Sequence, residues 1–322
     1  MITVAFSTHR LEVLMEAEAR MRAHEAVALE EPPHPLFQAM LCGEVAVENY
    51  LQETDYEFPR FAEASCRLYR RLHASGKRLI QVDPYMEHLE RLHDFFAQGG
   101  EPQAVDPADP MHAVYRAERR ATAALMHFYE MSMTAPFSEV VRAVIHFART
   151  DAARIALRDE MRARRLAVEA KNVSTLYVES GYIHWKLFRD LRRSVEPDRP
   201  VRPCFLLERE ARRRLGRKQV LGPGDTLTLL FIFQPGIRGA AVEMMAARSL
   251  IYIKLLHKDE LEPVEGAYPH LDDEVLAYRL TRLLSWADCE KLYPEIRTRP
   301  AEEVQEIVKT HVARQTARGW IP

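Results

Sequence analysis

Two histidines and several carboxylates stand where apolar runs of the sequence end. Glu30 and Glu31 directly follow one run, and His9 comes shortly after another. Glu179 and His184 bracket the end of a later run. Imidazole and carboxylate groups that converge can hold a divalent metal and activate water on it. Without a metal, the same groups can transfer protons near neutral pH, because histidine titrates there.

Residues 174–191 show how one strand end can position two of these groups. A β-prone run opens the stretch, Gly181 permits a tight turn, and apolar residues recur at helical spacing after His184. This pattern predicts a strand over 176–178, a turn and a helix. Glu179 and His184 then lie at the carboxyl end of the strand, which is the edge where open α/β sheets bind ligands.

Apolar runs alternate with helical patterns over the first two thirds of the chain. The predicted strands are 2–6, 26–29, 78–82, 176–178 and 201–207. Such alternation is typical of a parallel sheet, whose strand ends share one edge, so the polar groups can converge. Asp83 ends the third run and joins them. Pro203 in the fifth run favours an edge strand, because proline donates no ladder hydrogen bond.

Helical patterns fill the rest of the chain. Two long ones, 111–133 and 138–171, contain no glycine and separate the third strand from the fourth. We therefore predict an α/β fold with a small, mostly parallel sheet, a large helical insertion and a helical C-terminal part. The expected domains are an α/β domain over 1–220, with its insertion at about 100–172, and a helical region over 221–322 packed on it.

Composition argues against several classes of protein. A net charge of −2 does not suit a generic nucleic-acid binder. No uninterrupted apolar run reaches the roughly 18 residues that a bilayer span needs, and the first residues lack a signal-peptide pattern. The four cysteines are scattered without a C-x-x-C pair, which indicates reduced thiols. We expect a cytoplasmic protein without a membrane span.

Short motifs at the strand ends carry a family resemblance. Residues 181–184 read G-Y-I-H, residues 6–9 read F-S-T-H, and residues 28–32 read A-L-E-E-P. In this order they resemble the TraB / ChaN / erythromycin-esterase superfamily, which includes the TIKI-type metalloproteases. Its hallmarks are two G-x-x-H motifs and a glutamate that closes the second strand. Phe6 takes the glycine position of the first motif here, and either Glu30 or Glu31 matches the glutamate.

The resemblance extends from residue 2 to about residue 207. Arg158 and Asp159 are similar to the "RD" pair of the helix that precedes the second histidine motif, although Arg162 stands where methionine is more usual. Members of the superfamily include metal-dependent proteases, metal-independent esterases and a haem-iron binder. The resemblance therefore implies a site, with a divalent metal as its cofactor and haem as the alternative. Arg158 could clamp a carboxylate or phosphate of the substrate, or pair with a neighbouring acid as a surface arginine.

Our first hypothesis is a metal-assisted hydrolase of an ester or amide bond in a small molecule or peptide. The expected metal ligands are His9, His184 and Glu30 or Glu31. Glu179 or Asp83 would assist the reaction.

Two alternatives to hydrolysis stay open. One is a protein of the same fold that binds a metal, haem or small ligand without turnover. The other is a partner-binding protein whose apolar C-terminal helices carry the function. Those helices would suit a homodimer surface, and equally a buried helical core.

Overall fold

The strands of the protein form one parallel sheet. Its computed structural model describes residues 1–53, 56–264 and 266–317. The strands are β1 (Ile2–Ser7), β2 (Ala26–Leu29), β3 (Arg78–Gln81), β4 (Leu176–Gly181) and β5 (Val201–Phe205). They are ordered β3-β2-β4-β1-β5, with every pair parallel. The predicted α/β fold class is confirmed, and β5, with Pro203, lies at an edge as predicted.

Fourteen α-helices accompany this sheet within the described residues. They are α1 (Leu14–Arg22), α2 (Phe37–Cys42), α3 (Val47–Gln52), α4 (Pro59–Ala74), α5 (Pro84–Ala97), α6 (Pro110–Thr134), α7 (Phe137–Ala170), α8 (Trp185–Ser194), α9 (Glu208–Leu215), α10 (Pro223–Phe233), α11 (Ala240–Leu255), α12 (Pro269–Arg282), α13 (Trp286–Ile296) and α14 (Ala301–Ala317). The helices α5, α6 and α7 separate β3 from β4, so the expected helical insertion is present. None of the helices in the described ranges has both the length and the hydropathy of a bilayer span.

The chain divides into two compact units. The first contains residues 1–118 and 154–208, and the second contains residues 119–153 and 209–322. The division therefore cuts through α6 and α7. The predicted α/β domain included the whole insertion, about 100–172. In the structure, the central part of the insertion belongs to the same compact unit as the C-terminal helices.

The centre of the sheet places three strand ends side by side. β4 pairs with β1 from Leu176 to Gly181 and with β2 on its other side. All six residues of β1 and all four of β2 are buried, because helices cover both faces of the sheet. The carboxyl ends of β1, β2 and β4 thus lie side by side, on the side of the sheet where parallel α/β folds commonly bind ligands.

The predicted end of β4 was wrong. The strand predicted over 176–178 continues to Gly181, because its pairing with β1 extends to Ser7. Glu179 therefore lies inside β4 rather than after it. Pro59 begins α4, where a missing amide hydrogen costs nothing.

Phe6 packs into the core on one face of the sheet. Its ring is fully buried and stacks on Trp185 and Phe205, with ring centroids 5.0 Å and 5.2 Å away. The same core contains Leu166 of α7 and Leu187 of α8. The phenylalanine in the glycine position of the first motif is therefore an ordinary core residue.

The second unit contains a helical core of its own. Phe231 of α10, Leu250 and Ile251 of α11 and Leu292 of α13 are all buried in one hydrophobic cluster. The sequence left open whether the apolar C-terminal helices form a homodimer surface or a buried core. At these positions they form a buried core. Phe233 at the end of α10 is 40% exposed.

Candidate functional site

Glu30 is the centre of a charged cluster in the first unit. It directly follows β2, and its Oε1 lies 2.9 Å from His184 Nε2. Its Oε2 accepts a hydrogen bond of 2.7 Å from the Gly181 amide. The adjacent strands β2 and β4 thus bring together groups about 150 positions apart in the sequence.

His184 is held through both ring nitrogens. It precedes α8, and its Nδ1 lies 2.5 Å from Asp159 Oδ1 of α7. The other oxygen of Asp159 accepts a hydrogen bond of 2.9 Å from the Leu187 amide in the first turn of α8. A carboxylate at a helix N-terminus is favourable, so Asp159 both orients the imidazole and fixes α8 to α7.

Two arginines of α7 contact the same glutamate. Arg158 and Arg162 are one helical turn apart, and their Nη atoms lie 3.3 Å and 3.4 Å from Glu30 Oε1. Arg158 also binds Asp83, at 2.6 Å, and so pairs with acids from other elements rather than from its own helix surface. Fully buried Arg162 donates to the carbonyls of Val82 and Glu179, each at 3.0 Å.

Burial and charge act in opposite directions on Glu30 and His184. Burial alone would raise the pKa of Glu30, but His184, Arg162 and Arg158 outweigh it and hold the pKa well below its usual value. Burial would lower the pKa of His184, but Glu30 and Asp159 raise it to about 9. At neutral pH the cluster therefore contains a carboxylate and an imidazolium.

His9 approaches the cluster from the end of β1. Its Nε2 lies 3.7 Å from Glu30 Oε2, and its side chain is 31% exposed. The backbone of His9 has a φ of 51°, in the left-handed region that residues other than glycine seldom adopt. The Ser7 hydroxyl accepts a hydrogen bond of 3.0 Å from the His9 amide, which helps to hold this turn. Strain of this kind collects at functional sites.

Glu179 lies beside Glu30 in a less charged setting. Its Oε2 accepts a hydrogen bond of 3.2 Å from the Glu30 amide, and its Oε1 lies 3.4 Å from the Tyr69 hydroxyl. Burial raises the pKa of Glu179, opposed by the attraction of His9. The two neighbouring glutamates thus differ in proton affinity, which is the pattern of an acid and a base assigned by environment.

Glu31 belongs to a separate hydrogen-bonded group. Its Oε2 accepts a hydrogen bond of 2.9 Å from Gln81, and burial raises its pKa. Of the two glutamates left open by the sequence, Glu30 contacts the histidines and Glu31 does not, although both line the same cavity.

A cavity of about 450 Å³ opens over this cluster. Its lining includes the charged or ionisable residues His9, Glu30, Glu179, Arg158 and His184 and the aromatic residues Tyr56, Phe58, Phe61 and Tyr69. A volume in this range suits a small organic molecule. The first unit therefore combines a binding cavity with ionisable groups in its wall.

Gly181 leaves the centre of the cluster open. A Cβ atom on Gly181 would lie 3.4 Å from His184 Cδ2, 3.5 Å from His9 Cε1 and 3.9 Å from Glu30 Oε2. A side chain at this position would therefore touch both histidines and the glutamate, at ordinary contact distances.

The predicted metal ligands are already engaged with other groups. Both nitrogens of His184 and both oxygens of Glu30 have polar partners, and two guanidinium groups contact Glu30. In the part of the chain that the structure describes, no group of three His, Cys, Asp or Glu side chains is arranged to hold a metal ion. The arrangement does not fit a divalent cation, whose charge would face Arg158 and Arg162. Binding of a metal ion or of haem at this site stays a prediction.

Two residues of the cluster received no role from the sequence. Asp159 was noted only as part of the "RD" pair, and Arg162 only as a departure from the family pattern. The spacing of the two arginines indicates a shared role. Arg158 and Arg162 are four positions apart, so both extend from one face of α7. The aromatic residues Phe58, Phe61 and Tyr69 also line the cavity.

Comparisons with known proteins identify a relative. The chain is 30% identical over 291 residues to an "Uncharacterized protein" of Archaeoglobus fulgidus, a match that covers 90% of this chain and 97% of the archaeal protein. The chain belongs to the same family as that protein. No family model matches the sequence, and no solved structure matches it.

Proposed function

We propose that this protein hydrolyses an ester or amide bond in the cavity at the ends of β1, β2 and β4. The observation that supports this most is the pairing of His9 with Glu30 on the wall of a cavity that also contains Arg158 and Glu179. The resemblance of the strand-end motifs to a superfamily with metal-independent esterases supports the same reaction class.

His9 acts as the general base in this proposal. Its imidazole is partly exposed and reaches the cavity, so it can take a proton from a water molecule beside the substrate. Glu30 Oε2, at 3.7 Å from Nε2, stabilises the positive charge that the ring gains. Two cations and the Gly181 amide hold Glu30 in place for this role.

Arg158 and His184 supply positive charge next to the reacting carbonyl. Arg158 keeps 20% of its side chain exposed at the cavity, and raising the pKa of His184 to about 9 keeps that imidazole protonated at neutral pH. A fixed positive field stabilises the oxyanion that forms when water attacks a carbonyl.

Glu179 donates the proton that the leaving group needs. Burial raises its pKa, so the carboxyl holds its proton at higher pH than an exposed glutamate. The Glu30 amide, at 3.2 Å, and more weakly the Tyr69 hydroxyl, at 3.4 Å, help to orient it. The proton taken by His9 and the one given by Glu179 balance the hydrolysis, and exchange with solvent restores both groups.

The test is a turnover screen of the full-length protein with esters and amides of small aromatic and aliphatic acids. The assays are run in EDTA and with added Zn²⁺ or Mn²⁺, and the metal content of the purified protein is measured alongside. The proposal expects turnover that survives EDTA. Binding of these compounds without turnover would favour the small-ligand alternative, and activity that requires a stoichiometric metal would restore the metal-assisted hypothesis.

A further inference from the structure

The cavity-facing side of α4 contains a buried hydroxyl group that has no hydrogen-bond partner. Phe61, Ala62, Ser65 and Tyr69 recur at helical spacing and all line the cavity. Ser65 is only 3% exposed, and its Oγ has no hydrogen-bond partner among the described residues. A buried hydroxyl in this state destabilises a protein, so it calls for a specific explanation.

Two other helical serines of this chain, Ser249 and Ser194, satisfy their hydroxyls within the helix. Ser249 of α11 donates a hydrogen bond of 2.7 Å to the Ala246 carbonyl, and Ser194 of α8 donates one of 2.9 Å to the Asp190 carbonyl. Ser65 forms no such bond, although it too lies within a helix. Its buried hydroxyl thus stays without a partner among the described residues, in a residue that lines the cavity.

The surroundings of Ser65 define what could bind there. One turn further along α4, the Tyr69 hydroxyl makes only a long contact of 3.4 Å with Glu179. One turn earlier, the small side chain of Ala62 leaves room, and Phe61 offers an aromatic surface. A polar group at Ser65 would therefore be flanked by an apolar part of the same ligand.

We propose that Ser65 is a specificity-determining residue that hydrogen-bonds an uncharged hydroxyl or amide group of the substrate, while an apolar part of the substrate packs on Phe61. This rests on the proposed function, because it concerns the substrate of the same cavity. An anionic group would meet Glu31 and Glu179 in the wall, and a cationic group would meet Arg158 and His184. A neutral polar group is repelled neither by the carboxylates nor by the cations.

The test compares two esters that differ in one hydroxyl, methyl mandelate and methyl phenylacetate. The wild-type protein is expected to turn over methyl mandelate with the higher kcat/KM. Ser65→Ala should lower that value about 3- to 10-fold, the effect of one neutral hydrogen bond, and leave methyl phenylacetate within about twofold. Ser249→Ala serves as the matched control and should change neither. Equal loss on both esters, or no loss on either, would overturn the proposal.

Binding and stability measurements separate this inference from the proposed hydrolysis. If neither ester is turned over, the proposed function fails for them, but titration calorimetry still compares their binding. Wild type should bind methyl mandelate more tightly, and Ser65→Ala should bind the two equally. Because Ser65→Ala removes an unsatisfied hydroxyl from a helix, its Tm should equal or exceed that of wild type. A lower Tm would indicate a structural role, and equal binding by wild type would refute the substrate contact.

Discussion

At the scale of single residues, the site is a balanced set of buried charges. Glu30 contacts three cationic groups, on Arg158, Arg162 and His184, and each of these pairs further with Asp83 or Asp159. Burying such charges is costly unless each is paired. The cluster therefore depends most on Glu30, the residue that the cations share.

Glu30→Gln should destabilise the protein. The substitution keeps the size of the side chain but leaves buried cations without their shared anion, a change that typically costs about 3–5 kcal/mol. Urea unfolding measures the loss. Glu57→Gln, an exposed glutamate of the same cavity, is the control and should stay within about 0.5 kcal/mol of wild type. Equal stability of the two variants would contradict the central position of Glu30.

His184 should make stability fall at alkaline pH. Its pKa is raised from 6.5 to about 9, so the folded state binds this proton more tightly than the unfolded state. The resulting stabilisation is fully present below pH 6.5 and is lost as the pH rises through about 9, a change on the order of 3 kcal/mol. Unfolding free energies of wild type and His184→Gln, measured between these pH values, should show the steeper decline in wild type. Parallel curves would mean that His184 is not protonated in the folded protein.

At the scale of elements, the site depends on close approach at the end of β4. The ladder between β1 and β4 runs to Ser7 and Gly181, so both histidine turns leave the sheet at the same level. The helix α7 then places Arg158, Asp159 and Arg162 opposite these turns. One strand end and one helix therefore determine most of the geometry.

Gly181→Ala should impair function more than folding. The added methyl group would meet only ordinary contacts, the nearest at 3.4 Å, so we expect a loss of stability within about 1 kcal/mol. It would nevertheless occupy the space between His9 and His184, and small misplacements of reacting groups are costly, so kcat/KM should fall about tenfold or more. Gly224→Ala is the matched control, since its new methyl group would lie 3.5 Å from Ser249 in the second unit. A Gly181→Ala variant as active as this control would show that the spacing is unimportant.

At the scale of the whole molecule, the sequence predicted the sheet better than the site. Each predicted strand overlaps an observed one, and β2 was predicted to the residue, because apolar runs that end in glutamate or proline have sharp limits. That His9, Glu30 and His184 converge followed from the shared edge of parallel strands. Arg162 could not be assigned from its type alone, since a helical arginine is usually solvated and only the fold shows it to be fully buried.

The division into two compact units could not be predicted from the sequence either. The patterns of α6 and α7 are continuous, so nothing local marks residues 119 and 153 as boundaries. Where a long helix changes partners depends on which elements pack beside it. That information lies in tertiary contacts rather than in periodicity.

The most direct test of the account compares ester hydrolysis by wild type, His9→Gln and His93→Gln. His9 lines the cavity beside Glu30, whereas His93 is an exposed histidine of α5 and serves as the control. We expect His9→Gln to lower kcat/KM by about 100-fold or more, the usual contribution of a general base, while its Tm stays near that of wild type. His93→Gln should match wild type. If His9→Gln kept activity within twofold of the control, His9 would not be the base and the proposed site would be wrong.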